Sequence, residues 1–256
     1  MSAFLRRIPG IGEIGAGLSR RDCPPHFHET YAISIFHERA VIHCRGRRHV
    51  LRPGALAVLD PREVHWGEPS PRGLAQAGIL PAPELITQLF GRPEPVTFER
   101  EIVDDRLLVR WLLDGIDEPS RLPAAIRRLF EEYGTPVAPG ARTAPVDADA
   151  ETWLHQPIAA LSEAAQISRS HYSRRFLARV GLSPVDFRRQ ERVRAARALI
   201  ERGTPLSTAA AEAGFADQSH MTRQMRSILG VSPGVLSEGA GRNRSAGRSR
   251  RRGSGG

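Results

Sequence analysis

The chain has no lysine: all 37 of its basic residues are arginine, set against 28 aspartates and glutamates for a formal charge of +9. A GC-rich coding bias accounts for the missing lysines. Cysteine is nearly absent too, with only Cys23 and Cys44. They could form one disulfide at most, and without an export signal reduced thiols are expected. No apolar run reaches the roughly 18–20 residues that a membrane-spanning helix requires. The opening MSAFLRRIPGIGEIGAG lacks an apolar core followed by a small-residue cleavage site, so no secretory signal is expected. These absences exclude a disulfide scaffold and a helical membrane protein.

What remains is a chain of ordinary composition, 40% hydrophobic and 25% charged, with 256 residues, enough for two cores. Its charge is segregated. Residues 1–150 hold 19 Arg against 20 acids, residues 151–238 hold 12 Arg against 8, and residues 239–256 hold 6 Arg and no acid. The positive excess lies where a polyanion would bind, and the first part has none.

Residues 11–80 read as short strands broken by turns, among them Tyr31–Phe36, Arg48–Leu51 and Ala55–Leu59, with Gly46, Pro53-Gly54 and Asp60-Pro61 as turn signals. Such a run suggests a small barrel or sandwich. Helical spacing follows over 83–90, 104–116 and 122–133, with Gly91 and Gly134 as stops. Residues 134–151 are rich in Pro, Ala and Gly and read as a linker. Residues 152–238 are helical throughout, and 239–256 form an Arg-rich tail expected to be disordered. The fold class is therefore α+β in two domains, 1–133 and 152–238.

The most specific signal is internal. Ser168–Phe176 (SRSHYSRRF) matches Asp217–Met225 (DQSHMTRQM) at a spacing of 49 residues, and Gly181–Pro184 (GLSP) matches Gly230–Pro233 (GVSP) at the same spacing. Ser168 and Asp217 suit helix N-caps. Tyr172/Phe176 and Met221/Met225 are i,i+4 pairs that face inward. Ser170, Ser173 and Arg174 then face outward, as do Ser219, Thr222 and Arg223, with Gln218 beside them. A shorter helix precedes each copy, over 158–165 and 206–213, giving two helix-turn-helix plans. Between them, 184–200 forms one long helix carrying Arg188, Arg189, Arg192, Arg194 and Arg197. Its length suits a rigid spacer holding two reading helices in successive major-groove segments, roughly 34 Å apart.

From Pro157 to Leu236 the chain closely resembles the DNA-binding domain of AraC/XylS-type transcription regulators. The resemblance rests on Ala213–His220 (AGFADQSH), Arg223 and Gly230–Pro233 in the second unit. In the first it rests on Leu161, Ala165, Ser168, Arg174, Phe176, Gly181 and Ser183-Pro184. Met221 and Met225 stand where larger apolar residues are frequent, and Gln166 replaces a common turn glycine. The resemblance implies that Ser170, Ser173, Arg174, Gln218, Ser219, Thr222 and Arg223 read double-stranded DNA. Arginine forks onto guanine, and glutamine pairs with adenine. Arg174 and Arg223 remain open to clamping phosphate instead.

The first domain holds His26-Phe-His28 and, after a strand-rich stretch with Leu51–Gly54 (LRPG), Pro61–His65 (PREVH). That arrangement resembles the cupin-type sensing domain often fused to this DNA-binding domain. His26, His28 and His65 could converge. In metal-binding cupins a carboxylate follows the His-x-His pair, but here its places fall at Ala32 and Ile33. The expectation is an effector site at His26, His28 and His65 without metal or other cofactor. A metal, or histidines merely packed at a barrel rim, stays open. The overall expectation is a cytoplasmic regulator, not an enzyme, that binds DNA and a small-molecule effector. The resemblance implies a homodimer through the helices between 104 and 133, with the ordinary covering of the barrel as the other reading of those helices; RNA polymerase is a candidate partner, and no membrane is expected. Two alternatives stand beside it: a metal-dependent cupin enzyme with a helical accessory domain, and a nonspecific DNA binder driven by the tail.

Overall fold

The computed structural model describes residues 4–19, 23–68, 74–138, 156–229 and 232–234. The chain divides into two units, Met1–Asp147 and Ala148–Gly256. The strands of the first unit are β1 (Phe4–Ile8), β2 (Gly12–Ser19), β3 (Cys23–His26), β4 (Ala32–Phe36), β5 (Ala40–Cys44), β6 (Arg47–Leu51), β7 (Leu56–Leu59), β8 (His65–Gly67), β9 (Leu74–Pro81), β10 (Val96–Thr97), β11 (Ile102–Val103) and β12 (Thr135–Pro136). They form a six-stranded sheet in the order β1-β2-β9-β4-β7-β11, a four-stranded sheet β3-β8-β5-β6, and the pair β10-β12.

The runs AISIF and LAVL lack polar alternation because β4 and β7 are buried on both faces. Ile33, Ile35, Leu56 and Val58 enter one apolar cluster, which the helices complete. Ala32, Phe36, Ala57 and Leu59 point the other way and meet Ala40, Ile42, Cys44 and Leu51 of the four-stranded sheet. The second cluster is the barrel interior.

Helices α1 (Pro83–Phe90), α2 (Arg106–Asp117) and α3 (Leu122–Tyr133) cover the outer face of the larger sheet. The apolar side chains Leu108, Leu112, Ile126, Leu129 and Phe130 are buried there. The Phe130 ring meets Tyr31 at 4.7 Å, Phe90 at 5.2 Å and Phe98 at 5.3 Å. α1 ends at Gly91 in the left-handed region, φ 79°, whereas Gly134 after α3 is extended. Its chain continues into β12, which pairs with β10. The stretch expected to be linker from residue 134 thus begins as a strand, because Thr135 and Pro136 find partners in Thr97 and Val96. Residues 139–151, the rest of that stretch, lie outside the described residues, as do residues 152–155 at the start of the span expected to be helical.

The second unit contains α4 (Ile158–Ala164), α5 (Arg169–Val180), α6 (Pro184–Glu201), α7 (Leu206–Glu212) and α8 (Gln218–Leu229). Each N-cap proposed on sequence grounds is formed: the Ser168 hydroxyl accepts from His171 N at 3.3 Å, and Asp217 Oδ1 from His220 N at 2.6 Å. Ser183 caps α6 with Pro184 at its first position, and Gly181 ends α5 at φ 80°. Gly230 and the basic tail lie outside the described residues.

The two units differ at the turn. α4 and α7 begin at Ile158 and Leu206, a spacing of 48, whereas α5 and α8 keep 49. The second turn therefore carries one more residue between its left-handed position and the cap. That left-handed position is Gly214 (φ 76°) in one turn and Gln166 (φ 55°) in the other. A side chain in this region is strained, by about 1 kcal/mol against glycine. Gln166→Gly is expected to stabilise the helical unit by roughly 0.5–1 kcal/mol, measured as a rise in its urea midpoint at unchanged slope. An unchanged or lower midpoint would contradict the strain.

Candidate functional site

In each second helix, apolar side chains lock one face and leave the other clear. Phe176 and Val180 of α5 are buried against α6, where Phe176 meets the Phe187 ring at 5.5 Å. Met221 and Met225 of α8 are wholly buried. On the opposite face Ser170, Arg174, Gln218, Ser219 and Arg223 are exposed, and Ser173 and Thr222 are half-buried. Thr222 Oγ1 donates to Gln218 O at 2.8 Å, so its hydroxyl proton is held by the helix itself. Only its lone pairs and methyl are left for an incoming group. Neither Arg174 nor Arg223 has an ion-pair partner among the described residues.

The spacer helix is less basic outwardly than its sequence suggests. Arg194 pairs with Glu191 at 2.6 Å, Arg197 with Glu201 at 2.9 Å, and Arg189 with Asp186 at 3.6 Å. Arg188 donates to the Gln156 carbonyl, a contact with the segment ahead of α4. Arg192 lies against the second turn, where a Cβ added at Gly214 would meet its Nε at 3.2 Å. Three of these arginines are paired within α6 at the i,i+3 and i,i+4 spacing that is readable in the sequence, whereas the Arg188 contact with Gln156 spans 32 residues and is not.

The three histidines singled out in the first unit do converge. His26 on β3 is directly across from His65 on β8, and His28 follows just beyond the strand. The ring centroids are 4.2 Å apart for His26–His65, 5.0 Å for His26–His28 and 5.2 Å for His28–His65. One ring nitrogen from each lies within 4.8 Å of the others. Two rings are oriented by backbone carbonyls: His26 Nδ1 is 2.9 Å from Pro24 O, and His65 Nδ1 is 2.9 Å from Glu63 O. With Nδ1–H donated, Nε2 of the neutral ring is left as an acceptor, and in a protonated ring it donates as well.

The cluster contains a residue that sequence reasoning did not place there. Cys23 Sγ is 3.7 Å from His26 Nδ1. Burial alone pushes the Cys23 thiol up, yet its hydrogen bond and charge interaction with His26, aided by Gly67, bring it below its ordinary value. Burial pulls His26 down, but Cys23 and the backbone groups of Pro24 and His65 carry it above the usual imidazole value. His65 goes the other way: burial first, then the charges of His26 and His28, hold it well below. The two shifts have opposite consequences. A depressed His65 contributes stability that is present above the ordinary imidazole pKa and lost as pH falls. A raised His26 contributes stability present below that pKa and lost as pH rises. NMR titration of the imidazole C–H signals is expected to place the His65 midpoint below about 6.5 and that of His26 above it; coincident midpoints would refute this arrangement.

The donor set also bears on a metal. Three nitrogens converge, but the places of the missing carboxylate are filled by apolar packing, Ala32 in the barrel interior and Ile33 beneath the helices. Three imidazoles without an acid are a donor set that a divalent cation can take, so the geometry admits a metal at the trio as well as an effector.

A strand-built sensing unit followed by two capped helix-turn-helix units defines a DNA-binding transcription regulator. A family model described as AraC-like ligand binding domain matches residues 11–156, and one described as helix-turn-helix domain matches residues 161–239. The chain belongs to the AraC family. An uncharacterized HTH-type transcriptional regulator of Bacillus subtilis strain 168 is 25% identical over 222 residues, 77% of this chain and 81% of the relative. An AraC-like transcription regulator of Streptomyces lividans is 30% identical over 175 residues, 68% of this chain and 55% of that one. Among solved structures, ToxT from Vibrio cholerae O395 matches with a TM-score of 0.50 at 11% identity, covering 89% of this chain and 95% of ToxT. Unsaturated fatty acid-bound ToxT from Vibrio cholerae strain SCE256 matches at 0.51 and 10% identity, covering 86% and 91%. These structures share the fold. Among the described residues no helix is long and apolar enough to cross a membrane.

Proposed function

We propose that this regulator reads its operator through Ser170, Ser173 and Arg174 of α5 and Gln218, Ser219, Thr222 and Arg223 of α8. Its affinity for DNA is set by a small molecule bound at His26, His28 and His65. The observation that carries the reading is the repeated capped helix, in which Phe176, Met221 and Met225 are buried while Arg174 and Arg223 stay exposed on the opposite face. The effector favoured by three imidazoles is one with carboxyl or hydroxyl groups that hydrogen-bond to ring nitrogens. The unsaturated fatty acid in one ToxT structure belongs to that chemical class. Binding shifts an existing equilibrium between DNA-competent and incompetent states by its differential affinity for them. This reading assigns the chain no catalytic step and no metal at the imidazole trio, places it in the cytoplasm, and makes contact with RNA polymerase the route to transcriptional output. Selection of bound fragments from random DNA tests it. A recovered motif with two half-elements about one helical turn apart supports the assignment, and no enrichment over random sequence rejects it.

The same reading includes a homodimer through α2. Leu107 and Trp111 lie four residues apart on that helix and are 51% and 41% exposed, high for large apolar side chains. The Arg128 guanidinium stacks over the Trp111 ring at 5.0 Å and holds it in place. Leu107→Glu is expected to weaken dimerisation by at least about tenfold, the loss of one central apolar anchor. Sedimentation velocity over a concentration series checks it, and an unshifted dimer would remove α2 from the contact.

A further inference from the structure

A second group of ligating side chains lies deeper in the barrel. Strand register puts His26, His65 and Cys44 in one row across β3, β8 and β5. On β6, His49 pairs with Ile42, so it is the diagonal neighbour of Cys44 on the same face. Glu101 reaches them from the segment just before β11, where its carbonyl accepts from Val58 N at 2.8 Å. Cys44 Sγ, a ring nitrogen of His49 and a carboxylate oxygen of Glu101 all lie within 4.8 Å of one another. Cys44 is 0% and Glu101 4% exposed. His49 Nε2 is buried without a hydrogen-bond partner.

The surroundings carry excess negative charge. Arg45 stands 2.9 Å from Asp60, 2.8 Å from Glu63 and 3.5 Å from Glu101, one guanidinium serving three carboxylates. Arg47 adds a second positive charge only at the exposed edge. Burial pushes the Glu63 carboxyl above its ordinary value although Arg45 opposes it.

We propose that Cys44, His49 and Glu101 form a binding site for a thiophilic divalent cation of the Zn²⁺ class, with water as the fourth ligand. The donor set is sulfur, imidazole nitrogen and carboxylate oxygen, the set that Zn²⁺ takes. At usual bond lengths, ligand atoms in a tetrahedral shell stand about 3.3–3.8 Å apart, so closure needs a movement of roughly 1 Å. Binding replaces the thiol proton: Cys44 S–H gives its proton to solvent, and the thiolate takes the cation. The cation supplies charge that Arg45 alone does not, and it gives the orphaned His49 nitrogen a partner. The imidazole trio, which lacks an acid, has no such charge to offset. An ion held here staples the β5–β6 hairpin to the chain that enters α2 five residues after Glu101.

The test uses the full chain, reduced, stripped with chelator, and titrated with Co²⁺ and then Zn²⁺. One Co²⁺ is expected to bind per chain with thiolate-to-metal charge-transfer absorption, displaced by Zn²⁺, together with a higher thermal midpoint. Cys44→Ser abolishes the absorption and weakens Zn²⁺ binding by more than the roughly 10–100-fold that outer-shell changes cost. Cys23→Ser leaves both intact. His49→Gln, at a half-buried strand position, provides the check on folding: the metal-free midpoint is kept and the metal-dependent rise is lost. The proposal is overturned if the native chain binds no stoichiometric metal or if His49→Gln keeps the metal-dependent rise. It is equally overturned if the absorption disappears in Cys23→Ser but survives in Cys44→Ser, which would put the ion at the imidazole trio. Operator selection by the metal-stripped chain reports separately on the DNA reading.

Discussion

Replacing Arg223 with alanine is expected to weaken binding to the preferred operator by about 1–3 kcal/mol, roughly 5- to 150-fold, while binding to random DNA barely changes. The reason is geometric. Arg223 sits on the face of α8 opposite the buried Met221 and Met225, exposed and without an ion pair among the described residues. A guanidinium so placed is available to fork onto the O6 and N7 acceptors of a guanine. Arg174 occupies the matching position of α5, 49 residues earlier, and the same change there is expected to act on the other half-element. If the two helices read independent segments, the double variant loses the sum of the two single effects. The competing role is phosphate contact, and the pattern of loss separates the two. A phosphate clamp would weaken specific and random DNA alike and lower the salt slope by about one. A base reader would relax preference at one position and leave the salt slope nearly unchanged. Arg194 and Arg197 serve as contrast: each is already paired within α6. Alanine at either is expected to change operator affinity little, whatever it does to the helix. Equal losses at all four arginines would show that general attraction, not a reading face, carries binding.

The helical unit was largely legible in the sequence because its signals are local. Caps, the i,i+4 apolar pairs and the glycine stop of α5 each act within a few residues, and Ser168, Asp217, Phe176, Met221 and Gly181 all have the roles their spacing implied. The one-residue difference between the two turns was hidden, since the alignment followed the second helices and Gln166 gives no outward sign of a left-handed backbone. In the sensing unit the existence of short strands could be read, but their partners could not. β1 pairs locally with β2, yet β2 pairs with β9 and β4 with both β7 and β9, connections made by the three-dimensional closure of the barrel. The imidazole trio was found through a familiar spacing and is assembled as expected. His49 was not, because it joins Cys44 and Glu101 only through strand register and a distant loop. Cys23 was missed for a similar reason: as one of two scarce cysteines it was weighed for a disulfide, while its neighbour in space is an imidazole.

Removing the Asp60 carboxylate is expected to destabilise the sensing unit strongly, although the residue reads in the sequence only as part of a turn. Followed by proline, it reads as a turn former. It does end β7, but its carboxylate is turned inward and only 3% of the residue is exposed. Oδ2 accepts from Arg45 at 2.9 Å and from the Thr97 hydroxyl at 2.5 Å, and Oδ1 accepts from Phe98 N at 3.2 Å. Arg45 in turn donates to Phe98 O at 2.7 Å. One carboxylate thus joins the end of a strand in the larger sheet, the β5–β6 turn of the smaller sheet and the segment that follows β10. Arg45 occupies a left-handed turn position at φ 49°, a strained conformation that these contacts hold in place. Asp60→Ala removes the anchor and leaves the Phe98 N–H and the Thr97 hydroxyl short of an acceptor, while Arg45 keeps Glu63 and Glu101. Two buried groups left without a partner, at about 1–3 kcal/mol each, together cost about 3–5 kcal/mol. In a unit of this size that is a fall of roughly 6–20 °C in its thermal transition. Asp60→Asn, which keeps an acceptor but not the charge, should fall between the variant and the native chain. Thermal unfolding followed by near-ultraviolet circular dichroism measures both. A loss below about 1 kcal/mol for Asp60→Ala would mean that the two sheets are held by apolar packing alone, with the Arg45 network an ornament on its edge.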